Sequence, residues 1–355
     1  MTMPFGICSD NHLHNWSAFS SINADGLNNR LAHILDEIAT AAIQVQANGG
    51  KRLYFAGDLF HVRGSVSPTV LNPAIDLFKK ITGLGVQCRI LTGNHDLESR
   101  DSEALSSACE TLRTVEGVDV VSEPKLFADD KVAMIPWYDS MDRVRAEIES
   151  IVVELGGAAH EWTLIIHAPV NGVIAGLPDH GFWSAELAKY GFKRVFSGHY
   201  HNYKSFPGNV YSVGASTHQT WNDVNTLAGF LIVDDKTVSW IESGAPKFID
   251  YNASWDDDQA IEHCKGNYVR VRLGEATDEE VTFIRDHVMA LGAAGCVVQA
   301  IPTPKTAATS RSTTVSSAMT TRQSISEWIK TNAGSVAGLE TLCDEIMNEV
   351  EAVAV

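Results

Sequence analysis

Short apolar runs alternate with amphipathic stretches along residues 1–250, and five of the runs stop at Asp, Asn or His. FGICSD leads into Asn11-His12, and RLYFAGD ends at Gly57-Asp58. VQCRILTGNHD ends at Gly93-Asn94-His95-Asp96, EWTLIIH at His167, and KRVFSGHYH at Gly198-His199-Tyr200-His201. Several runs are rich in Val, Ile and Leu without strict alternation, as strands covered on both faces are. Between them, 26–48, 68–82, 101–113, 141–155 and 183–190 carry helical periodicity. Ser67-Pro68 is a helix start of the cap-then-proline kind. After 190 the helices give way to closely spaced strands. The pattern predicts an α/β fold, a layered α/β/β/α sandwich with mixed sheets. Ligands of open α/β sheets bind beyond the carboxyl ends of the strands. The chemistry is therefore expected along that edge.

The rest of the chain reads differently. Residues 251–301 predict a small β-α-β capping domain: NYVRVRL alternates, 276–295 is helical with Thr277 as cap, and GCVVQAI is a second strand. Asp278, Glu279 and Glu280 fill the first turn of that helix, where the dipole favours acids. Residues 302–323 are rich in Ser, Thr and Ala and read as a linker. Residues 324–355 turn helical again, with Ile325, Trp328 and Ile329 on one apolar face. Val336, Leu339, Leu342, Ile346 and Val350 form another, and Gly334-Ser335 separates the two as C-cap and N-cap. The domain plan is thus a core at 1–250, a cap at 251–301, a linker at 302–323 and a helical docking segment at 324–355.

With 355 residues, 45% of them hydrophobic, the chain can bury one large core and a smaller one. No apolar run reaches the ~18 residues of a membrane span. The start lacks a basic-then-apolar leader, and six cysteines are scattered without C-x-x-C. A reducing cytoplasm without disulfides is the expectation. Net charge is −17, from 27 basic and 44 acidic residues. A grip on nucleic-acid phosphate would need bound metal, local Lys or Arg, or a basic partner.

Asp10, His12, Asp58, Asn94, His167, His199 and His201 are the candidate ligands. Mixed imidazole and oxygen donors suit borderline divalent ions such as Mn, Fe or Zn. Seven donors exceed what one ion takes alongside water. Two ions are therefore expected, sharing a bridging carboxylate and lowering the pKa of a water between them. D-x-H and H-x-H would put both side chains on one side of a continuing strand. A single histidine at a strand end is more often a hydrogen-bonded core residue; five such ends in one chain reverse those odds. His33, His160, His263 and His287 lack this context, and His14 and His180 could stand behind the ligands.

D-x-H, GD, GNHD, H and GHxH, in this order, resemble the calcineurin-like metallophosphoesterases over about residues 3–245. The resemblance implies one ion on Asp10, His12, Asp58 and His201. It implies a second on Asp58, Asn94, His167 and His199, with Asp58 as the bridge. It also implies that His95 faces the scissile phosphate, oriented by Asp96. GDLFH, with Val66-Ser67-Pro68 shortly after, looks like the SbcD-type DNA double-strand-break nucleases and their phage recombination counterparts. Ser/Thr phosphatases of the superfamily carry GD-x-x-D-R-G instead, and His61 stands here where their second aspartate would. That branch implies a manganese-dependent DNA exonuclease or endonuclease subunit in the cytoplasm. It further implies a homodimer and C-terminal docking on an SbcC-like coiled-coil ABC ATPase. His61, beyond complete ligand sets, is expected on the loop that meets the substrate, either behind the ligands or in contact with phosphate. His14 departs from the glycine often found two residues after the D-x-H histidine. A stand-alone enzyme on small-molecule or protein phosphoesters is the alternative; it would be indifferent to loss of 302–355. A non-catalytic DNA-end scaffold would not need the full ligand set.

Overall fold

The computed structural model describes residues 3–99, 107–300, 321–332 and 338–353. Two compact units divide the chain, Met1–Gln299 and Ala300–Val355. Within the first, one six-stranded sheet runs in the order β12-β11-β1-β2-β3-β4. Its strands are β1 Phe5–Cys8, β2 Arg52–Phe55, β3 Gln87–Leu91, β4 Val118–Val121, β11 Gly229–Val233 and β12 Val238–Glu242. A second six-stranded sheet runs β5-β6-β7-β8-β10-β9. It comprises β5 Lys125–Phe127, β6 Val132–Ile135, β7 Thr163–His167, β8 Arg194–Gly198, β9 Lys204–Phe206 and β10 Val210–Ser212. β1 to β4 are mutually parallel, while β11 joins β1 antiparallel, so the first sheet is mixed. The second is mixed too, with β6, β7, β8 and β10 parallel and β5 and β9 antiparallel at its edges.

The layers follow from alternation with both faces buried. Leu53 and Phe55 of β2 join Ile34, Ile38, Phe78 and Ile81 under helices α1 (Asn29–Ala47) and α2 (Pro68–Gly83). Tyr54, between them, turns inward with Ile7, Met134, Ile165 and Phe196 into the core shared by the sheets. Leu164 and Ile166 of β7 pack outward against Val144, Ile148 and Ile151 of α3 (Met141–Glu154) and Leu187 of α4 (Ser184–Lys189). Period-two geometry with apolar neighbours on both sides explains why these runs show no polar alternation. The architecture is the expected α/β/β/α sandwich. Asn28 caps α1 through its side-chain oxygen, and Ser67 caps α2 ahead of Pro68.

A three-stranded sheet, β13 (Phe248–Asp250), β14 (Tyr268–Leu273) and β15 (Gly295–Ala300), carries α5 (Asp257–Cys264) and α6 (Asp278–Ala290). Thr277 and Glu280 form a reciprocal capping box at α6. β13 pairs in parallel with β14, so this sheet begins a few residues before position 251. The helix expected over 101–113 is a 3-10 helix at Ala108–Thr114, and 101–106 lie outside the described residues. So does almost all of the 302–323 linker, and so does Gly334-Ser335. In the second unit, α7 (Thr321–Asn332) and α8 (Leu339–Val353) are joined by a hydrogen bond from the Ser326 hydroxyl to Glu340 at 3.0 Å. Trp328, Leu342 and Ile346 are exposed there, while Ile329 is buried. Among the described residues no helix is long and apolar enough to cross a membrane.

Candidate metal centre

The strands stop short of the chemistry. β1 ends at Cys8 and β8 at Gly198, so D-x-H and H-x-H lie beyond them rather than alternating along them. Turns bring the side chains together instead. Asp10, His12, Asp58 and His199 have φ of 47°, 48°, 53° and 107°. Such conformations cost a non-glycine residue about 1–3 kcal/mol each and cluster at functional sites. Backbone bonds hold the turns: Asp10 N–H to Gly57 O at 3.0 Å, His12 N–H to Asp58 O at 3.0 Å and Leu13 N–H to Leu59 O at 2.8 Å. Two glycines make room. A Cβ at Gly57 would collide with His167 Nδ1, and one at Gly93 with the backbone and carboxylate of Asp58. That is the physical content of the G-D and G-N-H pairs.

All seven candidate ligands converge on this edge. Asp58 Oδ1 accepts the His95 N–H at 2.8 Å. Its Oδ2 lies 3.7 Å from His12 Nε2 and 3.4 Å from His167 Nε2. His12 Nε2 faces His201 Nε2 at 3.2 Å. Asn94 Oδ1 faces His167 Nε2 and His199 Nδ1, each at 3.1 Å. The outer ring nitrogens are committed elsewhere. His167 Nδ1 donates to Ala56 O at 2.7 Å and His201 Nδ1 to Asp223 Oδ1 at 2.8 Å. Both therefore present Nε2 inward, the tautomer a metal ligand needs. Oxygen and ring-nitrogen atoms this close share either a proton or a cation, and together they offer a cation several donors at once.

The electrostatics agree. Burial disfavours charge on Asp58, and His167 overrides it, so the carboxyl is held well below its ordinary range. Burial likewise opposes charge on His167, and Asp58 outweighs it, pushing that imidazole up to about 9. Asp58 and His167 thus stabilise each other's charge. His199 is pushed down to about 3 by burial and by the neighbouring His167. Among the described residues, Asp10, His12 and His201 bring ligand atoms within 4.8 Å of one another, as do Asp10, Asp58 and His167. This oxygen and imidazole set fits divalent ions.

His12, His61 and His95 form a third such grouping. His61 Nδ1 lies 3.3 Å from His12 Nδ1, and its ring stacks on His95 with centroids 5.3 Å apart. Burial and the nearby His95 push His61 down to about 4. His14 tilts against the same ring, 5.1 Å away. His180 bonds to the Tyr200 hydroxyl at 3.1 Å. Asp96 does not orient His95 as expected. Its carboxylate turns away and accepts the N–H groups of Gly93 at 2.8 Å, Phe60 at 2.8 Å and Leu59 at 3.3 Å. It staples the GDLF turn to the GNHD turn, and burial together with Asp58 pushes its pKa up to about 7. The group that orients His95 is the His61 carbonyl, which accepts from His95 Nδ1 at 2.8 Å.

Three residues stand in the site without having been singled out from the sequence. Asp223 holds His201. Trp137 stacks on His199 with centroids 5.2 Å apart and planes at 18°. Trp16 lies 4.4 Å from the His61 ring and donates its indole N–H to His12 O at 3.3 Å. Trp137 ends a run, KVAMIPW, and that was its one available signal.

Residues 3–203 match the description calcineurin-like phosphoesterase. The chain belongs to that family. Membership makes this calcineurin-like phosphoesterase a hydrolase, and its clustered His and Asp side chains suit divalent metal. It is 25% identical over 231 residues to exonuclease subunit 1 of Enterobacteria phage T4. The match covers 62% of each chain, so the phosphoesterase spans less than two thirds of that relative. It is similar to a dimetal phosphatase from Danio rerio at 10% identity and a TM-score of 0.40, over 65% of this chain and 92% of that one. It is also similar to the Pseudomonas putida nuclease MPE at 16% identity and a TM-score of 0.27, over 58% and 65%.

Proposed function

We propose that the protein is a two-metal phosphodiesterase acting on DNA, the exonuclease or endonuclease subunit of a recombination or repair complex. One observation carries the two-ion reading: Asp58 Oδ2 lies between His12 Nε2 at 3.7 Å and His167 Nε2 at 3.4 Å. Asp10, His12, Asp58 and His201 would hold one ion, and Asp58, Asn94, His167 and His199 the other. When bound, a pair of divalent ions such as Mn2+ neutralises charge on a phosphate and lowers the pKa of water.

The chain's own residues supply the rest. His95 spends Nδ1–H on the His61 carbonyl, which leaves Nε2 as the atom that meets the phosphate. Protonated there, it hands a proton to the leaving oxygen, a role worth about 10²–10⁴-fold in rate. His61, between Trp16 and His95, contacts the phosphate without holding an ion. Asp96 keeps both turns in register. Asn94 contributes no charge and limits negative potential where an anionic substrate must enter.

The choice of DNA is supported by GDLFH and by a relative named as an exonuclease subunit. That word, subunit, also supports an assembly. The proposed partner is a coiled-coil ABC ATPase of the SbcC kind, met by the exposed Trp328, Leu342 and Ile346 of α7 and α8, with a second copy completing a homodimer. A basic partner would compensate the net charge of −17. The deciding assay adds Mn2+ to the full chain with linear duplex or single-stranded DNA, beside bis(p-nitrophenyl) phosphate. Degradation of DNA that is lost in His95→Ala supports the nuclease. Turnover of the small diester with DNA left intact would establish the stand-alone phosphoesterase instead.

A further inference from the structure

Residues 218–223 run as a strap between the three-stranded sheet and the metal-ligand turns. On the sheet side, His218 Nδ1 accepts the N–H of Phe248, the first residue of β13, at 3.1 Å. Its Nε2–H is spent on Thr226 O at 3.1 Å. Trp221 packs edge-on against Phe248 with centroids 4.8 Å apart, and the Arg270 guanidinium of β14 lies 4.7 Å over its ring. Arg270 is itself fixed by two bonds to Asp250 of β13, at 2.6 and 3.0 Å. The indole is thus held by two strands of the small sheet.

On the ligand side, Gln219 donates from Nε2 to Asp10 O at 2.7 Å. Asp223 Oδ1 accepts from His201 Nδ1 at 2.8 Å. Its other oxygen accepts the N–H groups of Gln219 and Thr220, both at 2.8 Å, so the carboxylate cannot swing. Gln219 and Asp223 are almost fully buried, at 2% and 3% exposure. Each touches a ligand of the same ion, Asp10 or His201. The rings serving the other ion are steadied differently: His167 by Ala56 O and His199 by stacking on Trp137.

We propose that this strap couples the position of the small sheet to the ion held by Asp10, His12 and His201, with Asp223 and Trp221 as positioning residues. The sheet then acts on one ion and leaves its neighbour alone. Asp223 keeps the His201 ring turned with Nε2 inward, and Trp221 keeps Asp223 in place by anchoring its turn to β13 and β14. This rests on the two-ion reading above.

The test is a Mn2+ titration of the full chain, followed by the electron paramagnetic resonance of free Mn2+, for wild type, Asp223→Asn, Trp221→Ala and Trp221→Phe. Wild type takes two ions. Asp223→Asn and Trp221→Ala weaken one of them by about 10–100-fold, the usual cost of losing a group behind a ligand. Trp221→Phe restores it, because a ring still fills the gap under Arg270. Should Trp221→Ala fail to fold, as thermal melts in EDTA would reveal, the near-isosteric Asp223→Asn carries the decision. Two wild-type ions with unchanged or equally weakened sites in Asp223→Asn, or in a folded Trp221→Ala, overturns the coupling alone. A single ion in wild type overturns the two-ion reading, and this inference with it.

Discussion

His95 donates its Nδ1–H to the backbone carbonyl of His61 at 2.8 Å, so one histidine is aimed by the main chain of the other and not by its ring. The two side chains are therefore separable. His61→Ser should keep His95 oriented and keep both ions, yet slow DNA hydrolysis. His95→Ala should also keep both ions and lower turnover by about 10²–10⁴-fold. Metal content by mass spectrometry beside DNA turnover checks the pair; an ion missing from His61→Ser would mean that His61 is a ligand.

Asp58 reaches towards both imidazole sets through one oxygen. Asp58→Asn keeps the shape of that group and removes its charge. Both ions should then bind more weakly, by 10-fold or more on the order expected for an altered site. His199→Ala should weaken only one. Calorimetric titration distinguishes them, and equal effects of the two substitutions would exclude Asp58 as the bridge.

Glu37 of α1 accepts the Gly244 N–H at 2.8 Å, in the connection between β12 and β13. Burial raises its pKa above the ordinary 4.5, outweighing hydrogen bonds from Gly244, Ser243 and Ala245. The folded chain then binds this proton more tightly than the unfolded one. The stability Glu37 contributes is complete below 4.5 and is lost as pH rises through the folded value. Glu37→Gln has nothing to titrate. Urea unfolding of the metal-free protein at several pH values should find the variant gaining on wild type as pH rises from 4.5 towards neutrality. A difference independent of pH would refute the assignment.

Removing 302–355 should leave hydrolysis of bis(p-nitrophenyl) phosphate close to wild type and abolish stimulation by a co-purified ATPase. Loss of the small-diester activity in the truncated chain would tie those helices to the catalytic unit instead.

The candidate ligands were legible because each ends or follows a buried run, and a run that stops at Gly-Asp or Gly-Asn-His announces an edge. The layers were legible for the same reason, with Leu53, Tyr54 and Phe55 reading as one apolar block that serves two cores. What escaped is long-range. Asp96 bonds to backbone N–H groups of Leu59 and Phe60, and periodicity says nothing about backbone partners 36 or 37 positions away. Its place beside His95 in the sequence suggested a side-chain pair that the turn does not form. Thr220 and Asp223 make a local capping box, which marks a turn but not the histidine that the turn supports. The short strand at Phe248–Asp250 was absorbed into the core because only its pairing with Tyr268–Arg270 gives it away.

Asp10, His12, Asp58 and Asn94 follow strands of the first sheet, whereas His167 ends β7 and His199 and His201 follow β8 of the second. Each proposed ion therefore takes donors from both halves of the sandwich and works as a clasp across its open rim. Stripping the ions would let that rim breathe while the apolar interior stayed shut. The rigidity of the working edge is then set by the metal supply of the surroundings, and a metal-starved molecule would be intact but slack where it must be stiffest.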